Sequence, residues 1–143
     1  MTSLSLITVP VLIDTSTDAS QLLHQWSRMY HYGHLIMPSV AVSTMLLHAA
    51  TSVQLYAIGK PWVIFACSGL TSIAIAPFTW TVMEGTNNKL FRLLEQAEDK
   101  KAGAMNILEV KRLVKRWSWL HLARSMLPLV GTLLGVAGVL AEL

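Results

Sequence analysis

The sequence predicts an all-α integral membrane protein, a four-helix bundle whose first helix is short. Three observations predict it. Apolar residues make up 53% of the chain and charged ones only 13%, roughly half the share usual in soluble proteins. Three apolar runs are long enough to cross a bilayer, which takes about 20 residues. Eight of the eleven Lys and Arg residues fall in the single segment 84–118, the pattern the positive-inside rule gives a cytoplasmic connection. With 143 residues one domain is expected. A lone cysteine, Cys67, excludes an internal disulfide and a dithiol mechanism. The net charge of +3 is small and localised, which argues against a nucleic-acid partner.

The first element, residues 2–14, begins TSLSLITVPVLI and lacks the basic start of a signal peptide. It is too short to span by itself. A homo-oligomer would shelter its flank. Asp18 with Gln21 reads as an N-cap and capping-box partner, so the second helix is expected over 19–58, with a kink near 33–38 where Gly33 and Pro38 stand. Gly59-Lys60-Pro61 is a tight connection, and the third helix follows over 61–86. A basic cytoplasmic loop is expected at 87–105, with Lys100, Lys101, Lys111, Arg112, Lys115 and Arg116 as a solvated, headgroup-facing set around it. The last helix is expected over 106–141.

In this arrangement one end of the bundle collects His24, His31, His34, Glu84, Thr86, Asn87, Asn88, His121 and Arg124, while the other has little polar beyond Lys60 and Glu142. In the last helix Ile107, Val110, Val114, Trp117, His121, Arg124, Pro128, Gly131, Gly135 and Gly138 recur at spacings of three and four, which is one helix face. The three glycines let helix backbones approach closely. A similar stripe on the second helix runs through His24, His31, His34, Pro38, Ala41, Met45, His48, Ser52 and Leu55. On the third, Ser72, Ala76, Thr79, Met83 and Asn87 share a face. Ionisable groups within spans usually turn to the bundle interior and mark function. The competing readings are structural: Arg124 snorkelling to headgroups, the Trp and Tyr residues as an interface belt, Asn87 and Asn88 as helix-end caps, and His48 as a satisfied interior histidine. His31 and His34, three apart, could join a metal site with His24, His121 and Glu84. No His-Glu-x-x-His or carboxylate-rich pattern supports one, so no metal site is expected.

PFTWTVMEGTNNKL at 77–90, followed by Trp117-Ser-Trp-Leu-His121-Leu-Ala-Arg124, resembles the small membrane anthrone oxygenases of polyketide pathways, and so do SLITVPVLID and QLLHQWSRMYHYGHLIMP. The similarity covers nearly the whole chain. Its sharpest parts are Pro77, Thr79, Thr86, Asn87 and Leu90, and the face Trp117, His121 and Arg124. It implies four membrane helices and oxidation of an anthrone to an anthraquinone by O2, with no metal, flavin or haem. It also implies a longer first helix, inside which this chain would start.

Cluster and resemblance together give a mechanism. An anthrone has an acidic methylene opposite its carbonyl, and its anion can reduce O2 directly. The protein would supply a base, charge stabilisation and a dry pocket. His121 is the first choice for the base, with His31 or His34 second. Arg124 would hold the oxyanion, aided by Asn87 or Thr86. Trp26, Tyr30, Phe78, Thr79, Met83 and Trp117 would line the ring site. The partners expected are the hydrophobic anthrone and the lipid bilayer, with the endoplasmic reticulum or a vesicle derived from it as the membrane in a eukaryote. The rival readings are a non-catalytic membrane module that binds a hydrophobic ligand, and a metal-dependent oxygenase using His24, His31 and His34.

Overall fold

The structure, a computed structural model, describes residues 2–99 and 105–141. All the regular structure among them is helical, in four stretches: α1 (Leu4–Thr15), α2 (Ala19–Ala57), α3 (Val63–Glu98) and α4 (Ile107–Ala141). The last three are long and apolar enough to cross a membrane; α1 is a short apolar helix. Residues 100–104, the centre of the expected basic loop, lie outside the described residues, as do Met1, Glu142 and Leu143.

Helix ends follow local chemistry. The Gln21 backbone N–H donates to Asp18 Oδ2 at 2.8 Å, the N-cap bond that satisfies one of the first-turn donors. Pro38 sits inside a continuous α2. At the far end Lys60 N–H bonds Leu55 O and Gly59 N–H bonds Tyr56 O, a Schellman motif. It requires the left-handed conformation that Gly59 adopts at φ 71°.

α3 runs further than expected. Where a loop was predicted from residue 87, the α-helical turns continue to Glu98. The reason is apolar spacing: Leu90, Leu93, Leu94 and Ala97 recur at helical intervals, and Leu90 is fully buried. Just before this stretch, Thr79–Met83 forms a π turn. A turn closed by i→i+5 bonds holds more residues than an α turn; Thr79 and Met83, four apart, share a face in either kind of turn.

α1 also begins with a π turn, Leu4–Thr8. Val9 N–H bonds Leu4 O, and the next bond of that pattern would join residue 10 to Ser5 O. Residue 10 is proline and has no N–H. The Ser5 carbonyl instead accepts from Ser118 Oγ at 3.1 Å.

The chain divides into two compact units, and each long helix contributes to both. The first comprises residues 1–34 and 79–123. Its core is Val9, Leu22, Leu23, Trp26, Met83, Leu90, Val110, Val114 and Trp117. Trp26 joins three helical segments, with ring centroids 5.0 Å from Phe91 and 6.0 Å from Trp117, both edge-to-face. Such pairs contribute about 0.5–1.5 kcal/mol each beyond their area.

The second unit comprises residues 35–78 and 124–143. Its packing is glycine-based. A Cβ at Gly131 would lie 2.7 Å from Thr71 Oγ1 and 2.9 Å from Ser68 O, and one at Gly135 would lie 2.8 Å from His48 Cε1. Ser68 Oγ donates to Gly131 O at 2.5 Å and lies 3.0 Å from His48 Nε2. With the serine proton on the carbonyl, His48 Nε2 is the donor to Ser68. Close backbone approach with a buried polar clasp is how helices associate in lipid, where burial of apolar surface gives no drive. Leu46, Leu47, Val53 and Leu133, all exposed, are suited to face lipid. Gly131→Ala is expected to destabilise the protein by about 1–3 kcal/mol, because a backbone carbonyl blocks the new methyl. Gly33→Ala, with nothing within 4 Å of the added carbon, is expected to be neutral or stabilising. Thermal melts of the two variants in one detergent check the pair of signs.

Candidate functional site

The first unit buries polar side chains that its own packing does not require. His121, on α4, is 3% exposed. Its ring stacks on Trp117, one turn earlier, with centroids 5.0 Å apart and planes at 27°. Its Nδ1 lies 3.0 Å from Ser5 Oγ on α1. Trp117 meets Trp26 on α2, and Trp26 meets Phe91 on α3 and Tyr30 on its own helix. Thr86 and Asn87, on the first α turn after the π turn of α3, are both buried.

Three polar atoms of this layer are buried with no hydrogen-bond partner among the described residues: Trp26 Nε1, Trp117 Nε1 and Asn87 Oδ1. A buried polar group left unpaired costs about 1–3 kcal/mol, and native proteins carry few of them. Two are indole N–H donors, suited to an oxygen acceptor. The third belongs to an amide whose two ends are assigned rather than observed, so it presents either an acceptor or a donor.

On the other side of Ser5, a cleft of about 340 Å³ runs between α1 and the start of α4. Ser5, Val9, Ser118 and Trp119 line it, with Asp14 and Lys115. A few polar groups in a mostly apolar wall is the usual make-up of a small-molecule pocket, and the volume falls at the low end of the usual range.

The structure brings together Trp26, Tyr30, Met83, Thr86, Asn87, Trp117 and His121 in one unit, with Thr79 half-buried in the same unit. Phe78 and Arg124 belong to the second unit. The expected histidine face of α2 is not buried: His24, His31 and His34 are all exposed. The buried face is set by Leu22, Leu23 and Trp26 and continues through the half-buried Tyr30, Gly33 and Met37 to Ala41. His31 and His34 each fall one residue beyond it. His34 stacks on Tyr30 at 5.8 Å, and His31 contacts Tyr32. Glu84 and Asn88 are exposed as well. Among the described residues no three His, Cys, Asp or Glu side chains form a set that could hold a metal ion.

Ser5, Ser118 and Phe91 did not stand out in the sequence. Ser5 and Val9 are four apart, so they share a face of α1. A polar residue on the buried face of an apolar helix is the signal that would have found it.

The comparisons with known proteins agree with one another. A family model for anthrone oxygenase matches residues 26–134. The chain is 47% identical over 139 residues to "Anthrone oxygenase AgnL2" of Paecilomyces divaricatus, covering 96% of this chain and 85% of that protein. It is 42% identical to "Anthrone oxygenase dmxR16" of Cryptosporiopsis sp., covering 100% and 79%, and 37% identical to "Noranthrone monooxygenase" of Aspergillus flavus, covering 97% and 66%. No solved structure gives a significant match.

Proposed function

Because the chain belongs to the anthrone oxygenase family, we propose that it oxidises a polyketide anthrone to the anthraquinone with O2, and that His121 is the base that starts the reaction. The observation that carries the site is the burial of His121 in the same unit as three polar atoms that have no hydrogen-bond partner among the described residues.

The steps balance without a further reactant. Neutral His121 takes one proton from the anthrone methylene, leaving a phenolate-like anion and an imidazolium. The anion gives one electron to O2, and the radical and superoxide combine as a peroxide. The peroxide takes the proton back from His121 and then loses water, so a CH2 and O2 become a C=O and H2O. The developing oxyanion suits the indole N–H groups of Trp26 and Trp117, preorganised in a dry site. Asn87 and Thr86 are buried in the same unit, on α3. Tyr30, Met83 and Trp117 offer flat or soft surfaces to a ring system. Arg124 follows His121 by three residues on one continuous helix, so register alone supports its role as a fixed cation for the anion.

The reaction in this reading needs no metal or organic cofactor. What supports the absence of a metal is donor chemistry: the side chains that meet His121 include Ser5 and Trp117, which are poor ligands for redox metals. The membrane is the source of the apolar substrate, and the end carrying Lys111, Arg112, Lys115 and Arg116 is cytoplasmic by the positive-inside rule.

The test is oxygen uptake by the detergent-purified chain given emodin anthrone, with the spontaneous rate subtracted. Expected is saturable uptake, one O2 per anthraquinone formed, unchanged by a strong chelator. Uptake that depends on added metal would overturn the cofactor-free chemistry. No uptake above background would overturn the substrate assignment.

A further inference from the structure

We propose that the cleft between α1 and the start of α4 is the site at which a hydroxylated anthrone leaves the bilayer: it holds the flat ring system against Trp119, with a phenol of its edge at Asp14 and Lys115. This rests on the anthrone being the substrate. No bond is made or broken in the cleft.

Four observations carry it. The cleft has a volume of about 340 Å³, room for one small ligand. On α4 its lining runs from Lys115 to Leu122, a length of about 10 Å at the helical rise and about that of three linearly fused rings. Its lining is graded. Asp14 and Lys115, both exposed, stand at one end, apolar side chains such as Leu6 and Leu122 follow, and the buried Ser5 and Ser118 close the inner wall. Trp119, which also lines the cleft, is 64% exposed, so its indole has a face open to stack on a ring. Every lining residue belongs to the first unit, and Ser5 is common to the cleft and the buried layer, with Oγ 3.0 Å from His121 Nδ1. A ligand in the cleft is therefore one side chain away from that layer.

Charge selects the occupant. A phenol both donates and accepts, so it suits a carboxylate and an ammonium side by side. A phospholipid phosphate only accepts: Lys115 attracts it and Asp14 repels it. Depth points the same way. The end of α4 that carries Lys115 lies at headgroup level by the positive-inside rule. Amphipathic aromatic rings collect at that level with their polar edge outward, as Tyr and Trp side chains do. The cleft offers the same gradient, charged at the headgroup end and apolar below. A phenolic ring system therefore passes from the interface into the cleft without turning over.

The experiment follows emodin, the air-stable quinone with the rings and phenols of emodin anthrone, by fluorine NMR of the fluorotryptophan-labelled chain in detergent. The Trp119 signal is assigned by its loss in Trp119→Phe. Emodin is expected to shift that signal saturably. Leu6→Phe, which fills the cleft, is expected to weaken this binding by about 10-fold or more, as for a misfitting group in an apolar pocket. It is expected to raise KM for emodin anthrone by a similar factor with kcat little changed, the mark of lost uniform binding. Ile7→Phe, at an exposed residue outside the cleft lining, is expected to change neither. Lys115→Gln is expected to raise KM by up to about 5-fold, the range of an exposed charged contact. Arg116→Gln removes the same charge one residue on and is expected to leave KM unchanged. A Trp119 shift that only grows linearly, as partition into the micelle gives, overturns the inference and leaves the oxygenase reading standing; it needs no variant that might misfold. A saturable shift with dodecyl phosphate that emodin does not reverse also overturns it and makes the cleft a lipid site. So does a loss of kcat in Leu6→Phe with emodin binding intact. Saturable emodin binding by a chain that takes up no oxygen with emodin anthrone overturns the substrate reading itself and leaves the cleft as a phenol site of another kind.

Discussion

His121→Ala and His121→Gln are expected to lower turnover of an anthrone by about 10²–10⁴-fold, the usual contribution of a positioned general base. Spontaneous oxidation in air then sets the floor of the measurement, so the variants are compared after that rate is subtracted. The two substitutions separate chemistry from folding. His121 is buried, stacked on Trp117 and bonded to Ser5, so alanine also removes packing and leaves Ser5 without its partner. Glutamine keeps a polar side chain of similar reach but has no basic nitrogen. If the base role is right, glutamine rescues the melting temperature and not the rate. If turnover returns with glutamine, His121 is a structural residue and the base lies elsewhere. His31 and His34 then stand as candidates, although both are exposed on α2.

That contrast also shows where the sequence was legible. The stripe on α4 from Val110 through Trp117 and His121 to Gly138 is realised nearly residue for residue: Val110, Val114, Trp117, His121, Gly131, Gly135 and Gly138 are buried, and Arg124 and Pro128 half-buried. It could be found because apolar residues, then polar ones, then glycines all recur on one period. On α2 the same reasoning chose the wrong face at one end. His24, His31 and His34 share a period, but Leu22, Leu23 and Trp26 share one too, and it is the second that packs, with Trp26 against Phe91 and Trp117. From Ala41 to Ser52 the predicted face is the observed one: Ala41 and Ser52 are buried, Met45 and His48 half-buried.

The π turns were not legible at all. They arise where helical register must be adjusted to fit tertiary packing, and at Leu4–Thr8 the cue is Pro10, which acts on a carbonyl five residues earlier. Ser5 carried a local cue, as a polar residue on an apolar helix, but its partner is 116 residues away, and no local pattern reports a contact of that range.

Asn87→Leu is expected to separate activity from stability in opposite directions. Asn87 is 4% exposed, and its Oδ1 is buried with no hydrogen-bond partner among the described residues. Leucine branches at the same atom and carries no polar atom to desolvate, although its two methyl groups are bulkier than the amide. Replacing an unsatisfied buried polar group by an apolar one of similar shape is neutral or stabilising, by up to about 1–3 kcal/mol. A core residue kept only for packing would therefore improve on this exchange. If instead the Asn87 amide is turned so that its N–H group donates to the anthrone oxygen as negative charge develops, its loss lowers turnover by about 10²–10³-fold, the effect of removing one such donor from an oxyanion site. Melting temperature and oxygen uptake measured on the same preparation decide it. A variant that is more stable and nearly inactive supports a polar group held unsatisfied for the substrate, the trade a functional site makes. A variant that is less stable and fully active shows that Asn87 serves the fold and that the oxyanion is held by others. The same logic extends to Trp26→Phe and Trp117→Phe. There the ring shrinks as the N–H is lost, and a cavity cost of about 1 kcal/mol or more obscures the stability arm. At Asn87, by contrast, the chemistry of the buried layer is removed while the branching of the side chain is kept and no cavity is opened.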